Sequence, residues 1–122
     1  MHKKTKYIFV YITCASEQQA KDIAKTLLNQ SLISCANIFP IQSIYWWENK
    51  LQESNEWVLL LKTTAKTYPT IQEKVTKAHT YSIPCITKIP IEPNPPYANW
   101  LTQQLLCKKP SSLTKNISKS LS

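Results

Sequence analysis

The sequence predicts an α+β domain in which two β-α-β halves are joined through a long central hairpin and followed by a C-terminal helix. Three observations carry this. An apolar run at residues 7–13 leads straight into an amphipathic helical pattern. A second amphipathic pattern, opening at Pro69, leads into another apolar run at 85–89. Between them, residues 34–62 form two extended runs separated by the polar break Glu48-Asn49-Lys50. The order β-α-β-β-α-β is that of the ferredoxin-like sandwich, whose antiparallel sheet has the strand order 4-1-3-2.

Strand one is the run YIFVYIT. Ser16, with Gln19 three residues on, forms a capping box that opens the first helix. Ala20, Ile23, Ala24, Leu27 and Leu28 recur at i, i+3, i+4, i+7 and i+8, a stripe for the core, and the helix ends near 29–31. In the first arm of the hairpin Ile41, Ser43, Tyr45 and Trp47 share one face, and Gln42, Ile44 and Trp46 the other. The chain has no Gly, so Asn is the residue suited to positive φ, and Asn49 marks the turn. The run at 57–61 is the returning strand. Pro40 cannot donate to a central ladder and is expected to bend or bulge its strand.

Pro69 pre-sets the first turn of the second helix. Its apolar side is Ile71, Val75 and Ala78, and it ends at His79, since Pro84 bars continuation. Residues 85–89 are strand four, IPIEPNPP is a Pro-rich connector, and Tyr97, Trp100, Leu101 and Leu105 mark the last helix. From Lys108 onward the chain is Ser/Lys-rich and aperiodic, the pattern of a disordered tail. The expected organisation is one domain, 1–107, with a tail, 108–122.

The hairpin is too long for its body. Residues 34–47, extended at ~3.3 Å each, span roughly 45 Å, whereas a domain of this size is roughly 35 Å across. A two-stranded ribbon is marginal alone in water, and this one carries Tyr45, Trp46, Trp47 and Trp57. Such a patch is expected to lie at contacts between subunits.

Four of the 15 lysines fall after Cys107 and no acid does, so the rest of the chain holds 11 lysines against 7 acids. That is mildly basic. There is no Arg, the residue on which bidentate recognition of phosphate or guanine relies most. Tyr7, Phe9 and Tyr11 share a strand face, as on an RNA-stacking platform, but the Gly and Arg of that motif are missing. Nucleic acid is not an expected partner, and neither is a membrane, since no run approaches ~20 apolar residues. The N-terminal apolar run is too short for a signal-peptide core. A cytoplasmic chain with four reduced cysteines is expected.

The chain resembles the CutA family, the divalent-cation-tolerance proteins. The resemblance lies in Thr13-Cys14 with Ser16-Glu17, then Ser34-Cys35-Ala36-Asn37-Ile38 with Pro40, then Ser43-Ile44-Tyr45-Trp46-Trp47-Glu48 with Lys50. It continues through Glu56, Leu61-Lys62-Thr63, His79 with Tyr81, Pro84 and Ile86, and Tyr97 with Trp100. It implies a ferredoxin-like subunit in a homotrimer whose hairpins pair between subunits, and a role in tolerance to copper and other divalent metals. No enzymatic reaction comes with it. One departure stands out. The family pattern after the histidine is His-Pro-Tyr-Glu-x-Pro-Glu; here Ser82 and Cys85 replace both carboxylates.

The soft ligands are Cys14, Cys35, His79 and Cys85, types that suit copper, with zinc as the alternative. No C-x-x-C or H-x-x-x-H spacing joins them. The end of strand one lies beside the start of strand four, which places Cys14 near Cys85, while Cys35 lies apart. Buried cysteines are otherwise small core hydrophobes. Glu56, Lys62, His79 and Tyr81, with Asn37, resemble the family's polar cluster at the subunit cleft. Their types allow anion binding, proton transfer or a structural hydrogen-bond network. No catalytic motif is present, so a non-enzyme is expected. A metal ion and a second copy of the chain are the expected partners, with no metal required for folding. The alternative is a trimeric sensor or scaffold that binds a small molecule or a protein in its inter-subunit clefts.

Overall fold

The computed structural model describes residues 4–107. The expected tail, 108–122, lies outside the described residues. Eight elements follow one another: β1 (Tyr7–Cys14), α1 (Glu17–Asn29), β2 (Cys35–Trp47), β3 (Lys50–Thr64), a 3-10 turn (Ala65–Thr67), α2 (Tyr68–Ala78), β4 (Ile86–Ile91) and α3 (Pro95–Leu106). The four strands form one antiparallel sheet in the order β2-β3-β1-β4. The element order and strand order are those predicted.

Residues of β1 alternate strictly between half-buried and buried. Ile8, Val10, Ile12 and Cys14 face a core completed by Leu59 and Leu61 of β3, by Ala20, Ile23, Ala24 and Leu27 of α1, and by Ile71 and Val75 of α2. The α1 cap forms as expected: the Gln19 amide donates to Ser16 Oγ at 3.1 Å. The Gln19 side chain reaches back to the Ala15 amide at 3.0 Å. The other face of the sheet carries Tyr7, Phe9, Tyr11 and Thr13. There α3 covers one end, with Tyr7 Oη and Thr102 Oγ1 2.8 Å apart and Ser34 Oγ donating to the Leu101 carbonyl at 2.6 Å. The other end of that face is open.

Four expectations need correction. The returning strand begins at Lys50, well before 57, because LQESNE pairs with β2 along its whole length despite its polarity. Pro40 neither bulges nor breaks the ladder; the register runs evenly from Cys35↔Lys62 to Trp47↔Lys50. The reason is that β2 is an edge strand, where a missing donor is tolerated. Pro90 sits inside β4 on the same ground, so the supposed connector begins later. Finally, Asn49 is joined at positive φ by Glu48 and Ser31. Glu48 and Asn49, at φ 50° and 64°, form a two-residue hairpin loop with both residues left-handed.

The last pair of β1 with β3 is Cys14↔Trp57. From Ile41↔Glu56 to Trp47↔Lys50 the hairpin therefore continues as a ribbon of two strands alone, about 20 Å long.

Candidate functional site

The open end of the sheet and the root of this ribbon enclose a pocket of about 330 Å³, lined by Thr13, Tyr45, Trp47, Glu56, Tyr81, Ser82, Ile83 and Cys85. Strand alternation explains the composition. In the register Ile41↔Glu56, the even residues of β3 share a face with Ser43, Tyr45 and Trp47 of β2. Residues 79–85, between α2 and β4, close the other side.

Glu56 is buried, at 8% exposure. Tyr81 Oη donates to Glu56 Oε2 at 2.7 Å. Burial raises the Tyr81 phenol well above its ordinary value, and this hydrogen bond and the charge of Glu56 raise it further. Tyr81 is therefore a donor held in place, not a proton source near neutral pH. His79 holds it there. Its Nε2–H donates to the Thr13 carbonyl at 2.7 Å, and its Nδ1 accepts from the Tyr81 amide at 3.0 Å. Both ring nitrogens are thus engaged within the chain, and the rings of His79 and Tyr81 lie 4.6 Å apart.

The four soft ligands do not converge. Cys14 is fully buried in the core. Its thiol is pushed up from 9.0 to about 11, mainly by burial and then by the negative charge of Glu56. Cys85 lies just before β4, one step beyond the pair Ile12↔Ile86. The predicted nearness of the two backbones is there, but alternation turns the side chains to opposite faces. Cys85 lies on the open face, exposed, with its Sγ 3.6 Å from Thr87 Oγ1. Cys35 pairs in register with Lys62 towards the α3 end. Among the described residues no group of three or more His, Cys, Asp and Glu could hold a metal ion.

The polar cluster is likewise divided within one chain. Glu56 and Tyr81 meet at the pocket. Lys62 points to α3, where its Nζ donates to Tyr97 Oη at 3.3 Å and lies 5.4 Å from that ring's centre. Tyr97 in turn stacks on Trp100 at 5.6 Å. Asn37 is exposed between the two ends. Of the expected subunit contacts, Trp46 is 72% exposed and Trp47 and Tyr45 are 43% and 42% exposed. Trp57 is half-buried beside Pro40. Ile83 lines the pocket without having stood out in the sequence, and Thr13, part of the motif that carries the family resemblance, was not singled out as a site residue; the topological nearness of strand one's end to strand four's start was the available signal.

The sequence model of the CutA1 divalent ion tolerance protein matches residues 8–104. The chain belongs to this family. CutA relatives bear this out. The chain is 43% identical over 84 residues to the divalent-cation tolerance protein CutA of Archaeoglobus fulgidus, covering 69% of this chain and 82% of the relative. It is 36% identical over 95 residues to Protein CutA of Mus musculus, covering 76% of this chain and only 54% of that longer relative. The solved structure of the periplasmic divalent cation tolerance protein CutA from Archaeoglobus fulgidus superposes with a TM-score of 0.79 at 37% identity, covering 81% of this chain and 98% of the other. The CutA match spans every pocket residue and leaves out Cys107. No helix among the described residues is long and apolar enough to cross a membrane.

Proposed function

We propose that this chain serves divalent-cation tolerance as a non-catalytic homotrimer of the cytoplasm, and that it takes up a soft ion, copper or alternatively zinc. The observation that carries the assembly is the ribbon. Trp46, Ile44 and Leu51 are 72%, 65% and 59% exposed on one face, while Tyr45 and Trp47 stand on the other. A two-stranded ribbon apolar on both faces gains stability by burial against further copies. The tolerance role is supported by family membership and by the names of the relatives.

For the ion, the residues fit in part. His79 has no free ring nitrogen, and the raised Cys14 thiol sits in the core. Cys85 and Glu56 remain, a thiol and a carboxylate lining one pocket. Thiolates select soft ions. Two donors are fewer than the four of a structural zinc site, so water or a second subunit completes the set. A core built from apolar side chains is expected to fold without a metal.

Sedimentation equilibrium at micromolar concentration should give a trimer; a monomer overturns the assembly. In a competition titration of Cu(I) against a chelator, Cys85→Ser should weaken binding by about tenfold or more, with Cys14→Ser unchanged. Equal affinity in the Cys85→Ser variant removes the site. A second reading, a small-molecule site roofed by a neighbouring subunit, is favoured by one observation: aromatic walls from Tyr45, Trp47 and Tyr81 around a buried carboxylate.

A further inference from the structure

We propose that the Glu56 pocket binds a small organic ammonium ion, an aliphatic amine in its protonated form. The proposal rests on the second reading above, the small-molecule site; the soft-metal reading uses Glu56 and Cys85 of the same pocket, so the two are alternatives for one site.

The starting point is a charge without a counter-charge among the described residues. Glu56 is 8% exposed. Among the described residues its one hydrogen bond comes from the neutral Tyr81 hydroxyl at 2.7 Å. The ion pairs among the described residues are Lys21–Glu17 and Lys77–Glu73, both on helix surfaces. Lys62 shares the face of Glu56 but lies six residues along the strand, roughly 20 Å away, and is turned to Tyr97. Withdrawing a carboxylate from water is costly unless a cation accompanies it. The phenol satisfies one oxygen and leaves the charge uncompensated.

The walls indicate which cation. Tyr45, Trp47 and Tyr81 present aromatic rings, and Thr13 and Ser82 carry hydroxyls. Aromatic faces attract organic cations through the ring quadrupole. A primary ammonium brings three N–H donors, which a carboxylate and two hydroxyls match. A hard metal ion wants six or more oxygens, and most of this wall is carbon. A carboxylate also repels anionic ligands. The volume, about 330 Å³, leaves room for a small organic cation such as a short alkylamine.

The probe is n-butylammonium chloride, titrated calorimetrically into the full chain in its native assembly with a metal chelator present. n-Butanol serves as the neutral isostere. The expected result is saturable binding of the ammonium, none of the alcohol, and a loss of about tenfold or more in Glu56→Gln, which keeps an acceptor for Tyr81. Amide NMR of the unsubstituted chain locates the site without any variant: shifts should centre on Tyr45, Glu56 and Ser82. No binding at millimolar ammonium, equal binding of the alcohol, undiminished binding in a folded Glu56→Gln, or shifts centred elsewhere each overturns the proposal. Copper and zinc titrated alone, without chelator, read the metal site separately. A metal that binds through Glu56 while the ammonium does not removes the amine and leaves the metal reading intact.

Discussion

His79 and Cys14 show how strongly surroundings rule what a residue type can do. The histidine ties the end of β1 to the segment after α2 through both ring nitrogens, and so it positions Tyr81 against Glu56. His79→Ala should lower stability by about 1–3 kcal/mol, as buried partners lose their bonds; urea denaturation measures this. A variant of unchanged midpoint would mean the tie is dispensable. Cys14 carries a pH signature. Its thiol titrates at about 11 in the folded chain against 9.0 ordinarily, so above pH 9 the unfolded chain releases this proton first. The contribution is whole below pH 9 and is lost as pH rises towards 11, on the order of 2–3 kcal/mol if fully expressed. Cys14→Ala should show a shallower alkaline decline in stability than the parent. Parallel profiles would assign the decline to other groups.

At the scale of elements, the hairpin turn works without glycine. Glu48 occupies the left-handed region at φ 50°, where a side chain other than Asn or Asp meets its own backbone at a cost of about 1–2 kcal/mol. Glu48→Asn should therefore raise stability by about 0.5–1 kcal/mol, visible as a higher melting temperature. No change or a decrease would show that the Glu48 side chain contributes elsewhere. The turn itself was readable from Asn49 in an otherwise extended stretch. The full length of β3 was not, because the six residues LQESNE have the polarity of a loop. They pair because β2 is held opposite them by its own register, and pairing depends on backbone groups that every residue has.

For the whole molecule, the ribbon decides the behaviour. It stands beyond the last pair of β1 with β3 and exposes Ile44, Trp46 and Leu51. Trp46→Lys should shift the chain towards monomer in sedimentation equilibrium, while circular dichroism keeps the α+β signature of the body, whose core does not include the ribbon tip. If Trp46→Lys sediments as the parent does, that face lies outside any subunit contact. Trp47→Ala should cost about 3–5 kcal/mol if the ring is fully buried in the assembly.

The sequence by itself determined the order of elements, the strand order and the family. These depend on local periodicity, cap and turn chemistry and a small set of allowed topologies, all of which are written in neighbouring residues. It also carried the excess length of the hairpin. Which candidate ligands share a space was decided only by tertiary structure. Topology brought the Cys14 and Cys85 backbones together, but the two-residue alternation of the sheet turned one thiol into the core and the other into the pocket. Spacing likewise said nothing of His79, whose capacity as a ligand is taken by a carbonyl from β1 and an amide two residues on. A side chain's chemistry depends on partners far apart in sequence, and those partners exist only once the sheet has set its register and its two faces.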